Sequence, residues 1–518
     1  MMKWLRAVGS RTRWSNGGAA RARWCGLGGG FVGALAVIVG ISGCAGHGLR
    51  SSDSLPTVGE VGYMSPSPER WTTSNGVDVL FLPDDEIPMV RGTLMVRAGG
   101  LWEASDQVGS SAALAHLMRS GGAGGRSADE LDRDLEKLSA TIGAASGAES
   151  FTFSFNCLSA DFETVLGILS DVVLRPRFEE SRLNLWKGQS LEAVRRRTDE
   201  PNTVAGLALG ELLYGWGPYG RYPLESDVRS VSRAMLRDLH REMIVPDGAI
   251  LAVTGAASRQ RVEELLERYL GGWFATGRAP RVPPPVEHEP RPAIYHVALP
   301  VVQSTIYIGQ LGVPRLTEDY IAIEGFNELF GASGFGSMLM QKIRTELGLA
   351  YSLFGAILPG PVKGRNIIAV QTKAESAGTA LVETLKVLQQ VRTTEVPPEK
   401  LVEAKRSIAN SFIFRFDDVD ELLNRRALQT YLDYPVDYDT TYLPRVAALT
   451  PADIRQVGMR RWDPARLVIV VVGDRKAYAA VEAALKSGAP ELAGYSIQSL
   501  TFNGRLQGPA VIDGKSGA

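Results

Sequence analysis

The sequence predicts an α+β fold built as a tandem duplication of one domain, and three observations carry that expectation. The stretch PDGAILAVTG, ending at Gly255, returns as DPARLVIVVVG, ending at Gly473, an offset of 218 residues. Each reads as a strand that follows a Pro-containing turn and an amphipathic helix entered from Ser or Thr. Between the two copies lies RAPRVPPPVEHEPRP, whose proline density suits neither helix nor sheet and marks residues 278–292 as a semi-rigid linker. So long a repeat means two pseudo-symmetric domains and not a solenoid.

Taken in order, Lys3, Arg6, Arg11, Arg13, Arg21 and Arg23 precede the apolar run GLGGGFVGALAVIVGISG, the plan of a signal peptide over residues 1–43. Ile41, Ser42 and Gly43 before Cys44 resemble the bacterial lipobox, which implies cleavage ahead of Cys44 and a lipid on its sulfur. The other reading is a membrane anchor that is never cleaved. Either way the globular part is tethered outside the cytoplasm, and paired acyl chains make such an attachment stable. Ala45 in the next position favours, by the same resemblance, the outer membrane facing the periplasm. Residues 44–68, rich in Ser, Gly and Pro, read as a flexible tether.

The first domain is expected over residues 69–277. GVDVLFL and MVRGTLMVRAG alternate in polarity around the turn-forming PDDEIP, which suggests paired strands. A helix follows over about residues 110–119. Ser127 with Glu130 forms a capping-box pattern, and Leu131, Leu135, Leu138 and Ile142 line one face of the helix it opens. In FTFSFNC the residues Phe151, Phe153, Phe155 and Cys157 fall on one side of a strand, which makes Cys157 a buried apolar residue and not a nucleophile. Helices are expected near 164–174, 179–197 and 204–213. In the linker, His288 beside two glutamates reads as solvated charge, not a metal site.

The second domain is expected over residues 293–490, with 491–518 as a tail rich in Gly and polar residues. Here GASGFGSMLMQKI reads as a glycine-rich loop running into a helix that stops near Gly348, with Tyr351 opening a strand. In that layout Arg344 leaves the end of a helix and Tyr351 the start of a strand, so the two can converge on one carbonyl or carboxylate. The plain alternative is an exposed arginine and a half-buried strand tyrosine.

Composition narrows the function classes. Fifty-six basic residues against 57 acidic ones leave a net charge of −1, which gives no reason to expect nucleic acid as a partner. Cys25, Cys44 and Cys157 are too scattered for a disulfide framework or a thiolate metal site.

Together, NGVDVLFLPDDEIPMV, LLYGWGPYGRYPLES, VPDGAILAVTG, GFGSMLMQKIRTELGLAYS and the RRALQTYLDYP helix resemble the insulinase-type, or pitrilysin, zinc metallopeptidases, which include the mitochondrial processing peptidases. The resemblance spans about residues 69–485 and implies metallohydrolase domains, each an antiparallel-rich sheet with helices packed on one face. It also implies an HxxEH motif, because residues four apart share a helical face and both histidines reach one zinc, while the glutamate activates the bound water. On the matching helix, SSAALAHLMRSGG, the first histidine is replaced by Ala112 and the base by Ala115, and only the second histidine survives, as His116. The third ligand, a glutamate 77 positions beyond His116 in the family, is here Ala193. The neighbouring Glu192 is turned by about 100 degrees on a helix, away from a shared site. His116 is therefore read as vestigial and hydrogen-bonded in a polar pocket, with no metal bound by this chain.

RTELGLAY, by contrast, keeps the family's second signature, an Arg and a Tyr that hold the substrate backbone near the scissile bond. By resemblance those substrate-binding roles fall on Arg344 and Tyr351, the guanidinium with two parallel donors and the phenol donating to a developing oxyanion. The resemblance thus implies a subunit inactive on its own, joined to a homologous partner that supplies zinc and base, acting on peptides in the bacterial envelope. The substrate edge strand would fall near residues 144–149. A peptidase-like binding or scaffold lipoprotein with no peptidase partner is the alternative.

Overall fold

The computed structural model describes residues 66–334, 336–413 and 418–508. The expected signal peptide, Cys44 and most of the tether lie outside the described residues. No helix among the described residues is long and apolar enough to cross a membrane.

The first half runs β1 (Glu69–Thr72), β2 (Asp78–Pro83), β3 (Met89–Val96), α1 (Ser110–Ser120), α2 (Ala128–Lys137), β4 (Thr141–Ser146) and β5 (Phe151–Leu158). It continues with α3 (Phe162–Leu174), α4 (Glu180–Arg195), α5 (Pro201–Tyr214), α6 (Glu225–Ser230), α7 (Arg233–Met243), β6 (Ile250–Gly255) and α8 (Arg259–Leu270). The second half runs β7 (Ala293–Ala298), β8 (Gln303–Leu311), α9 (Tyr320–Asn327), β9 (Ser352–Leu358), β10 (Arg365–Lys373), α10 (Ala377–Thr393) and α11 (Pro398–Ile413). After it come α12 (Val419–Tyr431), α13 (Tyr438–Ala448), α14 (Pro451–Arg461), β11 (Val468–Gly473), α15 (Arg475–Lys486), β12 (Ile497–Phe502) and β13 (Leu506–Gln507). Residues 278–292 carry neither helix nor strand.

Among the described residues the strands form two sheets, ordered β1-β2-β6-β3-β5-β4 and β13-β12-β7-β11-β8-β10-β9. The order β2-β6-β3-β5-β4 is repeated by β7-β11-β8-β10-β9, with the same single parallel pair, β2 with β6 and β7 with β11, at the same place. The duplication read from the Gly255 and Gly473 strands is thus a duplication of topology. Both strands are buried along their whole length because they sit mid-sheet with helices on either face.

Local signals explain the elements. Ser127 and Glu130 make the reciprocal capping box that starts α2, but the helix ends at Lys137. Ser139 then takes a left-handed turn at φ 48 and Ile142 enters β4, so Ile142 belongs to a strand and not to the helical face expected of it. Phe151, Phe153, Phe155 and Cys157 are buried on one side of β5, as the alternation predicts. Burial raises the Cys157 thiol to about 12, helped by nearby Asp161, which keeps it unreactive. The region expected to be a tail, 491–518, instead contributes β12, which pairs parallel to β7, and β13 beside it. Leu500, Phe502 and Leu506 are the apolar reason, each buried against the second sheet.

Each sheet buries one face under its own helices: β2, β3, β5 and β6 under α1, α3, α7 and α8, and the matching strands of the second half under α9, α10, α14 and α15. The opposite faces are covered by exchange. Leu209 and Val204 of α5 pack on Val470, Tyr295 and Ile367 of the second sheet. Leu422, Ala427 and Tyr431 of α12 pack on Leu80, Leu82, Met95 and Ile250 of the first. Helices thus lie on both faces of each sheet, the second layer borrowed from the other half.

Candidate functional site

Helix α1 is the element on which the resemblance would place a metal. Its first turn is sealed by Glu103, which accepts from the Gly109 and Ser111 amides at 2.8 and 2.7 Å and from Ser111 Oγ at 2.5 Å. A buried carboxylate here satisfies donors that the helix leaves open and sits at the positive end of its dipole. Farther along, Ala112 is exposed, Ala115 is buried and His116 is exposed. Partial desolvation lowers the His116 pKa below 6.5. Among the described residues no side chain hydrogen-bonds its imidazole, so the polar pocket expected around it is not formed there. On α4, Ala193 is exposed and Glu192 is engaged by Arg196 Nε at 2.7 Å.

This donor set does not fit zinc. One imidazole, with alanines at the positions the resemblance assigns to the other two ligands, leaves a tetrahedral ion short of protein partners, and Ala115 supplies no base. Among the described residues no three His, Cys, Asp or Glu side chains are grouped to hold a metal. His288 is half-buried, its Nε2 3.3 Å from the Leu212 carbonyl, so it packs on the end of α5 instead of standing as solvated charge.

Beside α1 runs β4, the outermost strand of the first sheet. Arg119 Nε donates to the Ile142 carbonyl at 2.8 Å and joins that edge to the end of α1. Of the stretch 144–149 expected to offer a docking edge, only Ala144 to Ser146 is strand, while Gly147 to Ser150 form a turn closed by a 2.8 Å bond from the Gly147 amide to the Ser150 carbonyl. That turn is fastened to both halves. The Gly100 and Leu101 amides each donate at 3.0 Å to the Gly147 and Ala148 carbonyls. Arg315 of the second half holds the Glu149 carboxylate with two donors. Tyr431 Oη donates to the Glu149 carbonyl at 2.7 Å and lies 3.2 Å from the Val96 carbonyl, while Arg97 stacks 4.6 Å over its ring. No local sequence signal marks Glu149, Arg315 or Tyr431, since each matters only through contacts across the two halves.

The second half places Arg344 and Tyr351 around a sharp reversal. A π-helical turn over Met340–Glu346 ends where Gly348 takes φ +62, and the Leu349 amide reaches back to the Ile343 carbonyl at 2.9 Å. A residue with a Cβ is strained at that φ, which is why glycine stops the helix there. Tyr351 follows one residue before β9, its amide bonded to the Gln371 carbonyl at 2.9 Å, and its side chain is 50% exposed. Arg344 is exposed, with Nη1 4.0 Å from Met340 Sδ. Both functional groups are therefore presented outward.

The chain matches two models of one peptidase family, one described as insulinase (peptidase family M16) over residues 79–221 and the other as the peptidase M16 inactive domain over residues 230–408. An uncharacterized zinc protease of Mycobacterium tuberculosis is 24% identical over 368 residues, covering 69% of this chain and 82% of the relative. The non-peptidase homolog YmxG of Helicobacter pylori is 21% identical over 407 residues, covering 77% and 92%. Among solved structures, a peptidase M16 inactive domain from Pseudomonas fluorescens superposes with a TM-score of 0.71 at 24% identity, covering 79% of this chain and 98% of that one. Two family models in tandem on a duplicated fold, with no metal-holding group of side chains among the described residues, make this chain a member of the insulinase, or M16, family that lacks the family's zinc site.

Proposed function

We propose that this chain is a catalytically silent M16 protein that holds extended peptides against an exposed sheet edge without cleaving them. The observation that carries this reading is an outermost strand, β4, that no further strand covers among the described residues, on a chain whose resemblance puts Ala112, Ala115 and Ala193 where the family has its zinc ligands and base. YmxG, a relative named as a non-peptidase homolog, supports it as a precedent. Strand addition needs only outward-facing backbone groups and shallow side-chain pockets, neither of which requires a metal.

The outward placement of Arg344 and Tyr351 favours a second reading, in which the chain is the substrate-clamping subunit of a heterodimeric envelope peptidase. A homologous partner would then contribute zinc and base, and the chain would be held at the outer membrane through a lipid on Cys44. One experiment separates the two. The chain is purified alone and with a candidate HxxEH-bearing companion, and zinc content and cleavage of an unstructured peptide are measured. Peptide binding without cleavage in either sample supports the silent reading. Cleavage only by the pair supports the clamp, and Arg344→Ala is then expected to slow turnover about a hundredfold with assembly intact. Stoichiometric zinc or cleavage by the isolated chain would sink both. Cys44→Ser is expected to release the protein from membranes, and continued attachment would mean a retained anchor instead of a lipid.

A further inference from the structure

Two Asn-Gly pairs lie among the described residues, Asn75 with Gly76 and Asn503 with Gly504. Each sits where the chain turns, and each glycine takes a left-handed conformation, at φ +86 and +80. Asn-Gly is chemically labile, since glycine has no side chain to keep its amide nitrogen away from the preceding carboxamide. The fold treats the two pairs differently.

Asn75 is locked in place. Its Nδ2 donates to the Leu270 and Trp273 carbonyls at 2.8 and 2.9 Å, and its Oδ1 accepts from Thr73 Oγ1 at 2.6 Å. The Gly76 amide donates to the Thr73 carbonyl at 3.0 Å, so the attacking nitrogen is engaged as well. Asn503 instead stands exposed in the loop 503–505 between β12 and β13. Its backbone amide donates to the Arg505 carbonyl at 3.2 Å. Among the described residues no hydrogen bond holds its side-chain amide or the Gly504 N–H.

The same loop presents a latch between the C-terminal hairpin and α5. Arg505 Nε donates to the Glu211 carboxylate at 3.2 Å, and its guanidinium lies 4.1 Å over the Trp216 ring. Glu211 is buried, and Tyr222 Oη donates to it at 2.8 Å. Phe502 stacks on Tyr222 with ring centres 6.2 Å apart. The hairpin that aims Arg505 is short, pairing only Thr501 with Gln507 and Phe502 with Leu506, so little holds its register if the loop changes length.

We infer that Asn503 is a site of spontaneous deamidation that ages this latch, while Asn75 is protected by its hydrogen bonds. The Gly504 amide nitrogen gives up its proton and attacks Asn503 Cγ. The Cγ–Nδ2 bond breaks, ammonia leaves and a cyclic imide closes. Water then opens the ring at one of its two carbonyls, so one water is consumed for each ammonia released and nothing is oxidised. One product is aspartate. In the other, isoaspartate, the main chain runs through the former side chain and is one methylene longer. Aspartate sets a carboxylate two residues from Arg505, where it competes with Glu211 for the guanidinium. Isoaspartate lengthens the loop and draws Arg505 off Glu211, which leaves a buried carboxylate without its charged partner.

The test incubates the full chain in mildly alkaline buffer at physiological temperature and follows both Asn-Gly pairs by peptide mapping with mass spectrometry. Enzymatic methyl transfer to isoaspartate identifies the second product. In the folded protein Asn503 is expected to convert about tenfold faster than Asn75 or more, the rate equivalent of the hydrogen bonds Asn75 must break before it reacts. In urea the two are expected to convert at similar rates, because only the fold distinguishes them. Asn503→Gln removes the reaction at this turn. Aged wild type is expected to show a lower urea midpoint than fresh protein, and aged Asn503→Gln to keep its own. Asn503 that stays intact in the folded chain while it converts in urea, or Asn75 that converts as fast as Asn503 in the folded chain, overturns the site. Full conversion at Asn503 with an unchanged midpoint overturns the loss of the latch as its consequence.

Discussion

At Ala112, Ala115 and Ala193 the side chain ends at Cβ, and the loss differs at each. Ala112 and Ala193 are exposed, so a ligand restored at either position starts from solvent, whereas Ala115 is only 2% exposed. Ala112→His together with Ala193→Glu, added to His116, is expected to raise bound zinc from background to about one ion per chain, read by elemental analysis after dialysis. If zinc stays at background, the spacing of α1 and α4 has departed from a ligating geometry along with the side chains. Adding Ala115→Glu to the zinc-free protein places a carboxylate in a nearly closed site, at an expected cost of roughly 2–4 kcal/mol. Glu103 is the opposite case, a residue retained for structure. Glu103→Ala removes three hydrogen bonds from the first turn of α1 and is expected to lower stability by about 2 kcal/mol, seen as a lower urea midpoint with an unchanged slope.

Among the elements, those with local punctuation were the legible ones. The capping box at Ser127, the proline run of the linker, the glycine stop at Gly348 and the alternation in β5 all act within a few residues, so the chain announces them. Ile142 misleads because it stands four residues after Leu138, a spacing that suits a helix until Ser139 reverses the chain. Strand β12 is hidden for another reason: IQSLTF becomes a strand only because β7, about two hundred residues earlier, offers it a parallel partner. The fastening of the β4–β5 turn is also non-local, and it can be probed at Tyr431. Tyr431→Phe keeps the ring under Arg97 but removes the donor to Glu149, which is expected to cost about 1 kcal/mol. Amide exchange in Gly147 to Ser150 is expected to accelerate while the rest of β5 stays protected. Unchanged exchange would mean that Arg315 and the Gly100 and Leu101 amides fasten the turn without Tyr431.

Across the whole molecule, the exchanged helices α5 and α12 make each half complete the core of the other, so the halves are expected to unfold together. Acid tests this through one histidine in each half. His240 Nε2 lies 2.7 Å from the Val173 carbonyl and His296 Nε2 3.1 Å from the Gly473 carbonyl, and burial lowers both pKa values below 6.5. Below 6.5 the unfolded chain binds protons that the folded chain resists, so stability falls as pH drops from 6.5 toward the depressed values and is flat from these groups above it. His240→Asn is expected to flatten that dependence without splitting the transition in two.

The same exchange predicts what cutting the linker does. Residues 278–280 are exposed and carry neither helix nor strand, so a protease site inserted after Arg278 would be cleaved in the folded protein. After the cut, α5 would still bury Val204, Leu209 and Leu213 against the second sheet, and α12 would still bury Leu422 and Tyr431 against the first. Burying even five such side chains is worth on the order of 10 kcal/mol before the entropy of association is subtracted, which suits a complex that persists in dilute solution. The nicked protein is therefore expected to elute from a sizing column as one species at the volume of the intact chain and to separate only in denaturant. Fragments that part under native conditions would mean that the covalent linker, and not the exchanged helices, holds the two sheets together.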